Sequence, residues 1–138
     1  MKKANLILVL SFFLSTTIFA QKTFTLTSKD LGGEATKKTE FNGFGCTGDN
    51  QSPQLQWVNA PEGTKSFAVT MYDPDAPTGS GFWHWLIFDI PSNTTELAAN
   101  AGNIKLNIAP KGAIQSITDY GIKGFGGPCP PKGHGFHQ

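Results

Sequence analysis

SFAVTMYDPDAPTGSGFWHWLIFDI, residues 66–90, is the stretch that decides the fold. In its first third Phe67, Val69 and Met71 alternate with Ser66, Ala68 and Thr70, the period-two pattern of a strand with one buried face. The last third, Phe82 to Ile90, is apolar at successive positions, as expected of a central strand buried on two sides, and Pro91 closes it. Between them Asp73-Pro74-Asp75-Ala76-Pro77 and the following glycines form a turn. A strand, a short loop and a returning strand bring the two ends of this stretch together.

Outward from it the pattern stays that of short strands between turns. Thr23 to Thr27 and Gln54 to Val58 are expected as strands, and Ala60 to Thr64 as a turn. Lys29 to Thr39 is a polar surface connection. Phe41 to Gly48 is too glycine-rich for regular structure and is expected as a shaped loop. Glu96 to Asn107 has room for one helical turn within a loop, and Gly121 to Gly135 is glycine- and proline-rich coil. With 16 Gly and 9 Pro in 138 residues and 15% charged residues, the expected fold is all-β: an antiparallel β-sandwich with long loops and little helix, in one domain. The order of the strands is not legible in this pattern.

Residues 1–20 read as a separate unit. Lys2 and Lys3, an apolar run from Leu6 to Phe13 and a small Ala20 before Gln21 have the order of a secretory signal peptide. The run is short for a membrane span and is followed by Ser15, Thr16 and Thr17. The expectation is export to a periplasmic or extracellular compartment, with residues 21–138 as the mature domain and no integral membrane segment left. Cleavage there would move the net charge from +1 to −1, and the chain contains no arginine, which argues against nucleic acid as a partner. In an oxidising compartment Cys46 and Cys129 are candidates for a disulfide closing a loop of about 80 residues. Two separate buried thiols fit their spacing equally well.

The chemistry-bearing residues gather in three places. Pro74 and Pro77 bracket Asp75, so Asp73 and Asp75 are held in fixed directions at a strand end, although Asp-Pro is also ordinary turn chemistry. His84 lies within the most apolar strand. It is either a core imidazole satisfied by a backbone carbonyl or an anion donor whose other nitrogen rests on a nearby carboxylate. Gly126 to His137 holds His134 and His137 in a coil whose N–H groups are able to converge on an anion.

In their order and spacing, Asp73-Pro74-Asp75-Ala76-Pro77, Trp83-His84-Trp85 and Gly127-Pro128-Cys129-Pro130-Pro131-Lys132-Gly133-His134-Gly135-Phe136-His137 resemble the two signature regions of the phosphatidylethanolamine-binding (Raf kinase inhibitor-like) family. Phe44 to Pro53, with Asp119-Tyr120-Gly121, resembles its bacterial branch. The likeness runs from about Thr23 to the last residue. It implies two antiparallel sheets and a small pocket for a phosphate or phosphoethanolamine-like anion. By motif position the pocket residues are Asp73, His84, His137 and the Gly127-Pro128 loop, with Asp75, Ala76 and Pro77 on its wall. It also implies lipid head groups, or a kinase or protease, as partner classes. The family continues past the final histidine into an aromatic pocket residue and a long strand. The expectation is therefore a fragment, or a pocket short of one wall and a sheet short of one strand.

Three function classes compete. The first is a non-enzymatic anion binder with no catalytic residue and no cofactor. With imidazoles as the only cationic donors, its affinity should fall as pH rises through the ordinary histidine range near 6.5. The second is a small hydrolase using a His–Asp pair, for which Cys129 is the one tempting nucleophile. The third is a metal site built from Asp73, His84 and His137.

Overall fold

The computed structural model describes residues 22–138, so the expected signal peptide lies outside the described residues. The pair at the heart of the sequence forms as expected. Strand β5 (Ser66–Asp73) runs antiparallel to β6 (Phe82–Pro91), with Ser66 opposite Pro91 and Asp73 opposite Phe82. Two irregularities, between Phe67 and Val69 and between Met71 and Tyr72, shift the register by placing an extra residue on β6, so alternation is unbroken along β5 but not along β6. A short β8 (Ile114–Gln115) pairs with the other edge of β6, placing β6 in the middle of a three-stranded sheet.

The second sheet has the order β1-β4-β7, from β1 (Thr25–Thr27), β4 (Leu55–Val58) and β7 (Glu96–Leu97). All the strand pairs are antiparallel, and the two sheets face each other across one core. Leu55 and Trp57 come from β4, Leu97 from β7, and Trp85, Ile87 and Ile90 from β6, with Ala101 and Phe125 closing the cluster. Phe67, Val69 and Met71 pack against it from β5, which is where the alternation placed them. Burying one such large side chain contributes about 1.5–3 kcal/mol, so this cluster holds the sandwich together.

Two expectations are corrected, and the loop expected over Glu96 to Asn107 is found without its helical turn. Strand β6 is central, but it is not buried on two sides along its length. His84 and Trp85 are both buried, whereas Trp83 and Phe88 are 37% and 39% exposed. The described residues contain no helix, and Ala98 to Leu106 is instead a run of turns, with Ala101, Asn103 and Leu106 each donating to the carbonyl three residues back. Residues 41–48 are not irregular throughout. They hold a two-pair hairpin of β2 (Asn42–Gly43) and β3 (Cys46–Thr47). Its two turn residues, Phe44 and Gly45, have φ of 53° and 93°. Positive φ at both is what a tight hairpin turn requires, and Asn-Gly is its usual occupant. Phenylalanine there costs about 1–2 kcal/mol, and the sequence signal for the turn is correspondingly weak.

A candidate anion pocket at the end of the β5–β6 pair

The Asp73–Gly81 loop is fixed by its own side chains. Asp73 Oδ1 accepts from the Asp75 N–H at 2.8 Å, and the Tyr72 hydroxyl donates to the Ser80 carbonyl at 2.7 Å. Gly81, at φ 70°, leaves no room for a side chain, because a Cβ there would stand 2.2 Å from the Tyr72 hydroxyl. The loop therefore presents Asp73 and Asp75 rigidly, as two prolines in five residues led one to expect.

The two aspartates hold the final histidine. His137 Nδ1 donates to Asp73 Oδ2 at 2.7 Å, with both side chains largely buried, and the Gln138 N–H donates to Asp75 Oδ2 at 2.8 Å. His84 is held differently from one of the two expectations for it. Its Nδ1 donates to the Gly126 carbonyl at 2.8 Å rather than leaning on a carboxylate, while the Gly126 N–H donates to the His84 carbonyl at 2.9 Å. Carbonyl and carboxylate oxygens only accept, so both rings carry a proton on Nδ1 and keep Nε2 for whatever enters.

Asp73, Ala76, Pro77, His84 and His137 border one cavity of about 170 Å³ at the end of the β5–β6 pair. No lysine lies in its lining. Asp73, His84 and His137 also border a second cavity of about 180 Å³, whose lining includes Pro128 and Thr39. Of the Gly127-Pro128 loop, Pro128 lines this second cavity and not the first. The N–H of Gly127 is not aimed at an anion, because it donates to Asn50 Oδ1 at 2.7 Å. The Pro128 carbonyl accepts from Phe41. A Cβ on Gly127 would stand 1.7 Å from the Thr39 carbonyl, so glycine serves there to let two backbones touch.

Cys46 and Cys129 form a disulfide with a Cα separation of 6.0 Å. It fastens the β2–β3 hairpin to the Cys129-Pro130-Pro131 wall of the first cavity. Residue order alone left this pairing open. The geometry also takes Cys129 out of any nucleophilic role, since its sulfur is bonded. Among the described residues no group of three or more His, Cys, Asp or Glu side chains stands together in a way that holds a metal ion.

The motif reading missed the cavity's aromatic wall. Tyr120 stacks on Phe41 with ring centroids 4.1 Å apart and meets Phe82 edge-on at 4.8 Å and His84 edge-on at 5.7 Å. Phe44 lies against Tyr120 at 5.6 Å and lines the cavity too. The Tyr120 hydroxyl donates to the Gly127 carbonyl at 2.6 Å. Burial, helped by the nearby Asp73 charge, pushes this phenol up to about 12, so it stays a neutral donor. The cavity's aromatic residues are Phe44, Phe82 and Tyr120. Phe44 and Asp119-Tyr120 were visible as motif residues, but nothing in their spacing placed them at the pocket.

The phosphatidylethanolamine-binding protein family model matches residues 17–138. YbcL of Escherichia coli K12 is 52% identical over 117 residues, covering 83% of this chain and 64% of YbcL. YbhB of the same organism is 49% identical over 110 residues, covering 78% of this chain and 69% of YbhB. The chain therefore spans about two thirds of the length of these curated relatives. The crystal structure of YbcL, described as a new member of the mammalian PEBP family, superposes with a TM-score of 0.80 over 86% of this chain and 72% of that one.

Proposed function

The chain belongs to the phosphatidylethanolamine-binding protein family, and from its pocket we propose that it binds a small phosphate-bearing ligand of the phosphoethanolamine type without turning it over. One observation carries this reading. Two imidazoles border the same 170 Å³ cavity, each with Nδ1 already committed to a protein acceptor. In the neutral ring, Nε2 is then an acceptor, and it becomes a donor to an anion only after taking a second proton. Anion binding is thereby coupled to proton uptake, up to one proton per ring. No lysine lies in the lining to compete for the role. At about 170 Å³ the space suits a head group and is small beside the roughly 300–1,000 Å³ of sites for drug-sized ligands.

Absence of turnover is supported by the fate of the nucleophiles. Cys129 is in the disulfide, and the Thr78 hydroxyl donates to the Gly81 carbonyl, so neither stands free beside an imidazole base. The disulfide also fits an exported chain, because such bonds persist in oxidising compartments.

The test is titration calorimetry with inorganic phosphate and O-phosphorylethanolamine, from pH 5.5 to 8, in buffers of different ionisation enthalpy. The expected result is proton uptake on binding, an affinity that falls as pH rises, and no phosphate released from the ester. His84→Ala and His137→Ala should each weaken binding about tenfold or more, as loss of a hydrogen bond to a charged group does. Binding that is indifferent to pH, or unchanged in both variants, would refute the reading.

A further inference from the structure

The two halves of the disulfide border different spaces. Cys129 lines the 170 Å³ cavity together with His84 and His137, and Cys46 does not. Cys46 instead lines an open groove of about 730 Å³, bordered also by Lys37, Glu40 and Phe136. Both cysteines are half-buried, so neither is sealed in the core. The bond thus runs from the groove to the pocket.

This placement gives the bond a direction. A disulfide is opened by a thiolate that attacks one sulfur and expels the other, and the expelled sulfur leaves faster the lower its pKa. The open groove favours attack at Cys46. A neighbouring imidazolium lowers a thiol's pKa, and both imidazoles lie on the Cys129 side, so Cys129 is the better leaving group. Once protonated, Cys129 has acceptors in place, because its sulfur lies 3.5 Å from the Gly43 carbonyl oxygen and 3.8 Å from that of Phe44. What the bond holds is the β2–β3 hairpin, only two residue pairs long, with Phe44 at φ 53° in its turn. A residue strained in this way persists only where its surroundings hold it. Severing the bond frees the hairpin from the Cys129-Pro130-Pro131 wall and lets that turn relax.

We propose that Cys46 is a thiol–disulfide exchange site for a dithiol reductant, and that exchange there loosens the pocket, a regulation that rests on the phosphate-binding reading above. The attacking thiolate bonds to Cys46 Sγ as the Cys46–Cys129 bond breaks, and the expelled Cys129 thiolate takes a proton from water. The reductant's second thiolate then attacks its own sulfur in the mixed disulfide and releases Cys46, which is protonated in turn. Two electrons pass to the protein, and the reductant leaves as an internal disulfide. Reduction and ligand act on the same wall, so each opposes the other by the same factor.

The test has two arms, both on the whole chain. In the first, a thioredoxin lacking its resolving cysteine stalls at the mixed disulfide, and peptide mass spectrometry locates the adduct. The adduct is expected on Cys46. An adduct on Cys129, or none on the folded protein, would overturn the exchange site. The second arm titrates the disulfide in dithiothreitol redox buffers, with and without saturating inorganic phosphate. Reduction should weaken phosphate binding about fivefold, so phosphate should lower the midpoint by about 20 mV, at about 30 mV per tenfold for a two-electron couple. An unmoved midpoint, with phosphate binding to the oxidised protein seen by calorimetry, would overturn the coupling and leave the phosphate reading standing. Absence of that binding would overturn the phosphate reading itself, while the trapping arm still decides the exchange site.

Discussion

Replacing both cysteines in a Cys46→Ser, Cys129→Ser variant removes the one covalent tie across the pocket. The two are 83 residues apart in sequence. In the chain-entropy model, a closed loop of that length restricts the unfolded chain enough to contribute about 4.5 kcal/mol to stability. For a domain of this size 1 kcal/mol moves the melting temperature by roughly 4 °C, so the variant should melt about 15–20 °C lower. Native ties between the same segments survive the change: Phe41 still donates to the Pro128 carbonyl at 3.1 Å, and the Phe41–Tyr120 stack at 4.1 Å is untouched. The fold should therefore remain, with its loss of stability lying mostly in a freer unfolded state. The hairpin has only two residue pairs, however, and it loses its anchor beside the Cys129-Pro130-Pro131 wall. Affinity for phosphorylethanolamine should drop with it, by several-fold. Thermal unfolding followed by circular dichroism, urea titration of the same samples and calorimetry with the ligand measure all three quantities. A fall in melting temperature of under about 4 °C would refute the entropic reasoning. Unchanged affinity would refute the claim that the disulfide organises the pocket.

Two further outcomes are expected. Asp73→Asn removes the carboxylate that holds the His137 ring through Nδ1. Phosphate affinity near neutral pH should fall about tenfold, as for a lost charged hydrogen bond, whereas a gain on removing the negative charge would show that Asp73 opposes the anion. Tyr120 has its phenol raised from 10 to about 12 by burial, so its folded state disfavours the ionised form. That contribution to stability is fully present below pH 10 and is lost as pH climbs from 10 towards 12. Melting temperature measured from pH 9 to 12 should fall more steeply for wild type than for Tyr120→Phe, and parallel curves would contradict the assignment.

The sheet pair at residues 66–90 was legible because its evidence is local. Alternation at Phe67, Val69 and Met71 reports one buried face directly, the apolar run after Gly81 marks the central strand, and hydrophobic burial is what drives the sandwich. The rigid aspartates were legible for the same reason, since proline acts on its immediate neighbours. The sequence by itself thus determined the fold class and the gathering of Asp73, Asp75 and His84 at one strand end, and with the family resemblance it determined His137 as their partner. Everything that depends on distant segments meeting was decided by the tertiary structure. The acceptor for His84 is a backbone carbonyl forty-two residues on, and backbone carbonyls leave no mark in residue type. Whether Cys46 and Cys129 pair depends on a Cα separation of 6.0 Å that no spacing encodes. The Gly127 N–H donates to the Asn50 side chain, and its Cα presses on the Thr39 backbone; the glycine's lack of a side chain permits that approach without naming it. Phe44 meets Tyr120, and Tyr120 meets His84, only once β6 has threaded the middle of its sheet, because side-chain type sets what a residue wants to bury while chain topology sets which others it finds there.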